Sequence, residues 1–255
     1  MKINFFNTLH LSSFPILISI FVRVLFFILL LCLKFKYNLM YFLLYMFLFV
    51  FFIWLKDIFL EGVIGMHTSF MIRRIKVVFY FFLLRELMLF FSMFWFLFDR
   101  VLVPIRDLGE IWVPIGLEVV DPIGIPFLNS LILLRSAVTL TWSHYNFLLN
   151  KETKVSFLIT LFLGLVFLII QLSEYIINSF SIRDSVYGSI FFMITGFHGA
   201  HVFLGLLFLN LNYLRLKKGY FRVNHHLSFE FSIIYWHFVD VIWLFLYVFL
   251  YWWSL

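Results

Sequence analysis

Seven long apolar stretches, separated by charged or turn-forming segments, dominate this sequence. A transmembrane α-helix needs about 20 mostly apolar residues, because each residue adds about 1.5 Å and the hydrocarbon core is about 30 Å thick. The predicted spans are 13–33, 38–60, 75–100, 126–149, 155–178, 186–214 and 229–253. The sequence therefore predicts an all-α integral membrane protein with seven transmembrane helices.

The composition supports this class and excludes several others. Hydrophobic residues make up 64% of the chain, charged residues only 13%, and the mean hydropathy is +1.06. Soluble domains are about 45–50% apolar. The single cysteine, Cys32, excludes an internal disulfide, a cysteine-based zinc site and an iron–sulfur cluster within this chain.

Residue usage and charge bias suggest where the protein resides. There are 39 phenylalanines and only two alanines, which points to an AT-biased, organellar genome, and the amino-terminal residues do not resemble a cleaved signal. Of the 15 lysines and arginines at the ends of the predicted spans or between them, ten lie on the amino-terminal side of the membrane and five on the other. The positive-inside rule then predicts an amino terminus inside and a carboxyl terminus outside.

Charged residues occur within the predicted spans. Arg85 and Glu86 lie near the middle of the third span, where an unpaired carboxylate costs several kcal/mol. Adjacent helical residues point about 100° apart, so the two side chains do not naturally face each other. Two hypotheses therefore remain for Glu86, a proton-related or partner-facing role and a structural ion pair. Glu174, near the end of the fifth span, is expected at interface depth.

Two histidines in the sixth span, His198 and His201, are three residues apart. Such a pair can bind a metal ion only with further ligands, so interhelical hydrogen bonding is the favoured interpretation and no metal site is predicted. The neighbouring Gly196, Gly199 and Gly205 are predicted to let another helix approach closely.

The last span divides into three faces at 100° per residue. One face is a polar stripe that is predicted to pack inward: Glu230, His237 and Asp240. Beside it lies an aromatic ridge: Trp236, Trp243 and Tyr247. A third face is predicted to meet lipid: Val239, Ile242, Leu246 and Leu250.

Long motifs in the carboxyl-terminal half resemble one known family. The segments "NHHLSFEFSIIYWHFVDVIWLFLYVFLYWW" (224–253) and "SVYGSIFFMITGFHGAHVFLGLLFL" (185–209) are similar to the last two helices of cytochrome c oxidase subunit III. "TLTWSHYNF" (139–147) and "FLLRELMLFFSMFWFLF" (82–98) are similar to its earlier helices. The resemblance extends from about residue 50 to the end of the chain.

The resemblance implies a fold and a role. Two amino-terminal helices (1–65) would be splayed from a five-helix bundle (66–255), with a lipid-filled cleft between them. The chain would be a non-redox subunit of cytochrome c oxidase that packs on catalytic subunit I, while partner subunits carry haem and copper. It would support proton uptake and turnover stability as electrons pass from cytochrome c to oxygen. The implied location is the mitochondrial inner membrane with the amino terminus on the matrix side, or alternatively a bacterial plasma membrane.

The resemblance also assigns roles to individual residues, none of them catalytic or metal-binding. Glu86 matches the family's buried, proton-related glutamate. The positions implied to contact phospholipid are Glu61, His67, Arg215, Lys218 and His226. The resemblance further implies that the polar stripe of the last span forms a structural contact within the bundle. The alternative function is a self-contained multi-pass transporter or channel, for which the polar groups outside that stripe are too scattered.

Overall fold

The computed structural model describes residues 13–35, 45–50, 52–54, 56, 57, 60, 69–104, 112, 113, 116–223 and 226–253. These residues are predominantly helical and include no β-strand. The helices are α1 (Phe14–Phe35), α2 (Ser69–Leu102), α3 (Ile125–Leu148), α4 (Lys154–Ile177), α5 (Val186–Lys217) and α6 (Leu227–Leu246), which continues as a π-helix (Tyr247–Trp252). The predicted all-α membrane class is confirmed.

Five of these helices, α2 to α6, are long and apolar enough to cross a membrane. They correspond to the third to seventh predicted spans. Helix α1 coincides with the first predicted span, and helical residues at 45–50 and 52–54 fall within the second, which lies partly outside the described residues. At 1.5 Å per residue, the 34 residues of α2 extend about 51 Å, well beyond the hydrocarbon core.

Local sequence accounts for several helix ends. Pro126 lies at the first turn of α3, where its missing N–H is not needed. The Ser185 side chain caps α5, because its Oγ accepts the backbone N–H of Gly188 at 3.0 Å. After α5, Gly219 adopts a φ of +73°, the left-handed conformation that commonly ends a helix.

The chain divides into two compact units, Met1–Val78 and Phe79–Leu255, with the boundary inside α2. The sequence-based boundary lies earlier, between residues 65 and 66. Helix α1 in the first unit exposes large apolar side chains such as Ile16 and Phe26, as expected for a lipid-facing helix. The splayed amino-terminal arrangement and its lipid cleft stay predictions.

Helix α6 is central to the second unit. In the continuous helix Leu227–Trp252, 50% of the most apolar segment is buried within the protein, whereas in α2 the corresponding share is 11%. Two tryptophans attach it to α3, since Trp236 Nε1 donates to Ser136 Oγ at 2.9 Å and Trp243 Nε1 donates to Ser130 Oγ at 3.0 Å. All four side chains are buried, so these hydrogen bonds fix the rotation of α6 within the bundle.

Other polar contacts join the remaining helices. Thr139 and Thr160 link α3 to α4 at 2.8 Å, and Tyr175 donates to Thr195 at 2.7 Å between α4 and α5. Such interhelical hydrogen bonds contribute about 0.6 kcal/mol each in a membrane. Helix α2 contacts α6 through aromatic stacking, with Phe79 and Phe231 rings 4.1 Å apart.

The predicted lipid-facing side of the last span is wrong. Its four residues are all buried in the protein: Val239, Ile242, Leu246 and Leu250. Exposed apolar residues of this helix and its π-helical end include Val241, Leu244, Phe245 and Val248. Lipid tails and helix partners are equally apolar, so residue type alone does not distinguish the two surroundings.

Of the three glycines in α5 that were predicted to let another helix approach, Gly205 is the one where a helix of this chain does so. A Cβ atom on Gly205 would lie 3.1 Å from the Trp236 ring, so its absence lets α6 pack closely. A Cβ atom on Gly196 or Gly199 would meet no atom within 4 Å, so no described helix of this chain lies close at these two positions.

Candidate functional site

Glu86 and His201 meet where α2 packs against α5. Glu86 is the eighteenth of 34 residues in α2, and His201 is the sixteenth of 32 in α5, so both occupy the middle of long helices. Glu86 Oε2 lies 3.0 Å from His201 Nε2, and the two side chains are only 14% and 11% exposed. The contact therefore joins two membrane-spanning helices through titratable groups far from either helix end.

The hydrogen-bond geometry requires a proton between these two groups. His201 Nδ1 lies 2.7 Å from the carbonyl oxygen of Phe197, which accepts only, so Nδ1 carries a hydrogen. In the neutral ring Nε2 is then a bare acceptor, and it faces a carboxyl oxygen. A hydrogen bond between Nε2 and Oε2 therefore needs one hydrogen between them, either on the carboxyl group or on the ring nitrogen.

Aromatic side chains surround the pair. The buried Phe90 ring packs edge-on against His201, with ring centroids 5.0 Å apart. Phe82 stacks on the buried Tyr235 at 6.3 Å. In such apolar surroundings a hydrogen bond is electrostatically stronger than in water, and an unpaired charge is costly. Phe90 and Tyr235 therefore place the contact between Glu86 and His201 in largely apolar surroundings.

Arg85 also reaches the carboxylate, as the ion-pair hypothesis expects. Its Nη2 lies 3.4 Å from Glu86 Oε1, and its side chain is 77% exposed. The guanidinium also lies over the Phe82 ring, 5.9 Å from the centroid. Glu86 thus has two partners, and the shorter, more buried contact is with His201. The sequence did not predict this partner, although two histidines in the middle of a span near an intramembrane carboxylate were a usable signal.

His198 serves a different helix from His201. It is buried, and its Nε2 donates to the carbonyl oxygen of Val239 on α6 at 3.2 Å. The two histidines therefore anchor α5 to α6 and α2 respectively. This is the interhelical hydrogen bonding that the sequence favoured over a metal site.

The predicted polar stripe of the last span divides into two separate pairs. Glu230 Oε1 lies 3.3 Å from His226 Nε2 at the start of α6. His237 Nδ1 lies 3.7 Å from Asp240 Oδ2, one turn apart on the same helix. Only Asp240 is buried, while the Glu230 and His237 side chains are about one-third exposed.

The residues predicted to contact lipid have mixed surroundings. The Arg215 guanidinium lies over the Phe221 ring at 4.8 Å, and Lys218 is exposed at the end of α5. His226 is buried and packs against the His144 ring at 5.6 Å. Of the described residues that were predicted to contact lipid, Arg215 and Lys218 are thus the two with access to a headgroup. Glu61 and His67 lie outside the described residues.

Comparisons with known proteins place this site in a family context. The family model described as cytochrome c oxidase subunit III matches residues 4–255. A cytochrome c oxidase subunit 3 of Arabidopsis thaliana is 45% identical over 206 residues, which cover 80% of this chain and 78% of the relative. The subunit 3 protein of Mus musculus is 44% identical over 79% of this chain and 78% of its own length. That of Lycodon semicarinatus is also 44% identical, over 80% of this chain and 79% of its own length.

Proposed function

The chain belongs to the cytochrome c oxidase subunit III family, and from this membership we propose that it is a non-redox core subunit packed on catalytic subunit I. As a subunit of cytochrome c oxidase it assembles with other subunits of that complex. The family match over residues 4–255 carries the proposal. Haem and copper belong to the partner subunits in this proposal. The comparisons do not favour a self-contained transporter or channel.

The proposed location is the mitochondrial inner membrane with the amino terminus on the matrix side. Two observations support it: the excess of basic residues on the amino-terminal side and the phenylalanine-rich, alanine-poor composition that suggests an organellar genome. The exposed apolar surfaces of α2 to α6 fit a multi-pass position in that membrane.

The proposed contribution to catalysis is support of proton uptake through Glu86 and His201. Transfer of the shared proton between Glu86 Oε2 and His201 Nε2 changes the location of charge but not the net charge of the pair. Loss of the proton would leave two acceptors facing each other at 3.0 Å, which is unfavourable among buried aromatic rings. The pair is therefore suited to hold one proton in mid-membrane and to exchange it when a donor or acceptor approaches.

Replacing Glu86 by glutamine is expected to slow proton uptake by the assembled oxidase, or to shorten its active lifetime, by roughly tenfold. Glutamine Nε2 can still donate to His201 Nε2, so the helix contact survives while the exchangeable acid proton is lost. The magnitude follows from losing a charge-assisted interaction of about 1.5 kcal/mol. Proton uptake in reconstituted vesicles and activity over successive turnovers measure the effect.

Arg85→Gln is the control for that experiment, because it removes an exposed charge beside the same carboxylate. We expect a smaller change than with Glu86→Gln, and unchanged haem content in both variants. An assembled Glu86→Gln oxidase with normal proton uptake and normal lifetime would contradict the proposed role.

The second proposed role is binding of a phospholipid headgroup near the end of α5. Changing Arg215 and Lys218 together to alanine is expected to reduce the phospholipid that copurifies with the complex. Each basic residue near a membrane surface contributes about 1 kcal/mol of attraction, so affinity should fall by roughly tenfold or more. The matched control is Lys151→Ala with Lys154→Ala, two exposed lysines on the same predicted side. Equal lipid loss in both double variants would remove Arg215 and Lys218 from the binding site.

A further inference from the structure

A second carboxyl group, Glu174, is buried more completely than Glu86. It is the twenty-first of 24 residues in α4, close to the helix end where the sequence placed it. The structure nevertheless encloses it within the protein, with only 1% of the residue exposed. The mechanism proposed above makes no use of this group.

All of the side chains bonded to Glu174 and its neighbours are electrically neutral. The Tyr251 hydroxyl donates to Glu174 Oε1 at 3.0 Å. One turn earlier on α4, Gln171 Oε1 accepts a hydrogen bond from Asn129 Nδ2 at 3.2 Å. Within the described part of the chain, Glu174 forms no ion pair with a lysine, arginine or histidine. This distinguishes it from Glu86, which contacts both His201 and Arg85.

The π-helix at the end of α6 positions the Tyr251 hydroxyl. In a regular α-helix, Tyr251 would lie about 80° around the axis from Trp243, eight residues earlier. The wider turn of Tyr247–Trp252 reduces this offset. Trp243 and Tyr251 are both buried, with ring centroids 6.0 Å apart. The hydroxyl is consequently directed into the bundle, towards the end of α4.

We propose that Glu174 is a second proton-binding site of this chain and stands in the folded protein as a neutral carboxylic acid. Burying a carboxylate without a cationic partner costs several kcal/mol, whereas a neutral acid avoids most of that cost. One carboxyl oxygen accepts from Tyr251, and the other, Oε2, carries the proton. Oε2 is buried and has no hydrogen-bond donor among the described residues, which costs far less for a neutral acid than for a carboxylate.

Infrared spectroscopy of the assembled oxidase tests this assignment. The carbonyl absorption of a protonated carboxylic acid should be present in the wild-type complex and lost in Glu174→Gln. The matched control is Glu86→Gln, which should retain the band assigned to Glu174. If Glu174→Gln does not assemble, Tyr251→Phe is the substitute. Removing the hydroxyl that donates to Oε1 should shift the same band to higher frequency without abolishing it.

Two results would overturn the proposal. In Glu174→Gln, loss of ionised-carboxylate absorption with an unchanged acid band would show that Glu174 is charged. In Tyr251→Phe, an acid band that neither moves nor weakens would show that it does not arise from Glu174. Neither result depends on proton uptake through Glu86, so this inference and the proposed function fail or succeed separately.

Discussion

Replacing Trp236 by alanine is expected to lower the free energy of unfolding of the chain by about 3 kcal/mol or more. The indole is fully buried, and its Nε1 donates to Ser136 Oγ on α3. Lipid tails are as apolar as the bundle interior, so most of the loss arises from the cavity and the broken hydrogen bond, not from transfer to water. Ser136 would also lose its only side-chain donor from α6.

The midpoint of unfolding of the purified chain in mixed micelles measures this change. Trp142→Ala is the matched control, since this tryptophan on α3 is exposed in the chain and its removal leaves no cavity. Trp236→Phe should lie between the two, with a loss of about 1 kcal/mol for the hydrogen bond. Equal midpoints for Trp236→Ala and Trp142→Ala would disprove the central role of Trp236 in the bundle.

The transmembrane helices could be predicted from the sequence because their physical cause is local. A helix must satisfy its own backbone hydrogen bonds in lipid and must be long enough to cross it. Both requirements appear in any window of about 20 residues. The five described spanning helices therefore match their predicted spans within a few residues, apart from α2, which begins six residues before its predicted span.

Which side of a helix faces lipid could not be predicted in the same way. Val239 and Leu246 are buried, whereas Val241 and Phe245 are exposed, although all four are apolar. In water, polarity would separate the inner face from the outer one. In a bilayer this difference largely disappears, so the orientation of α6 depends on tertiary contacts such as the two tryptophan hydrogen bonds to α3.

The candidate site was predictable in part for a related reason. An intramembrane carboxylate is costly wherever it lies, so Glu86 was identifiable from its position alone. Its partner His201 is 115 residues away, and no local pattern specifies that α2 and α5 meet there. Glu174 shows the opposite case. Its position near a helix end predicted its depth in the membrane, but no local pattern predicted its burial against Tyr251.

Replacing Gly164 by alanine is expected to destabilise the chain by about 1–3 kcal/mol, even though alanine favours helices over glycine by about 1 kcal/mol. A Cβ atom at this position in α4 would lie 2.6 Å from Leu206 Cδ2 and 2.7 Å from Cη2 of Trp236. The leucine methyl can rotate away. The indole cannot move as easily, because it is fully buried and hydrogen-bonded to Ser136. Relief therefore requires α4 and α6 to separate.

Gly199→Ala provides the comparison, because a Cβ atom there meets nothing within 4 Å. This glycine also lies in the middle of a spanning helix, so the substitution changes helix propensity without a clash and should be neutral or stabilising by up to about 1 kcal/mol. Unfolding midpoints of the two variants should therefore move in opposite directions from the wild type, or at least differ clearly. If Gly164→Ala were as stable as Gly199→Ala, the close contact between α4 and Trp236 would not be a constraint on the fold. Gly164→Ala can also be combined with Ser136→Ala, which frees the indole. If the stability loss of the double variant differs from the sum of the two single losses, the fixed position of the indole is what makes the glycine necessary.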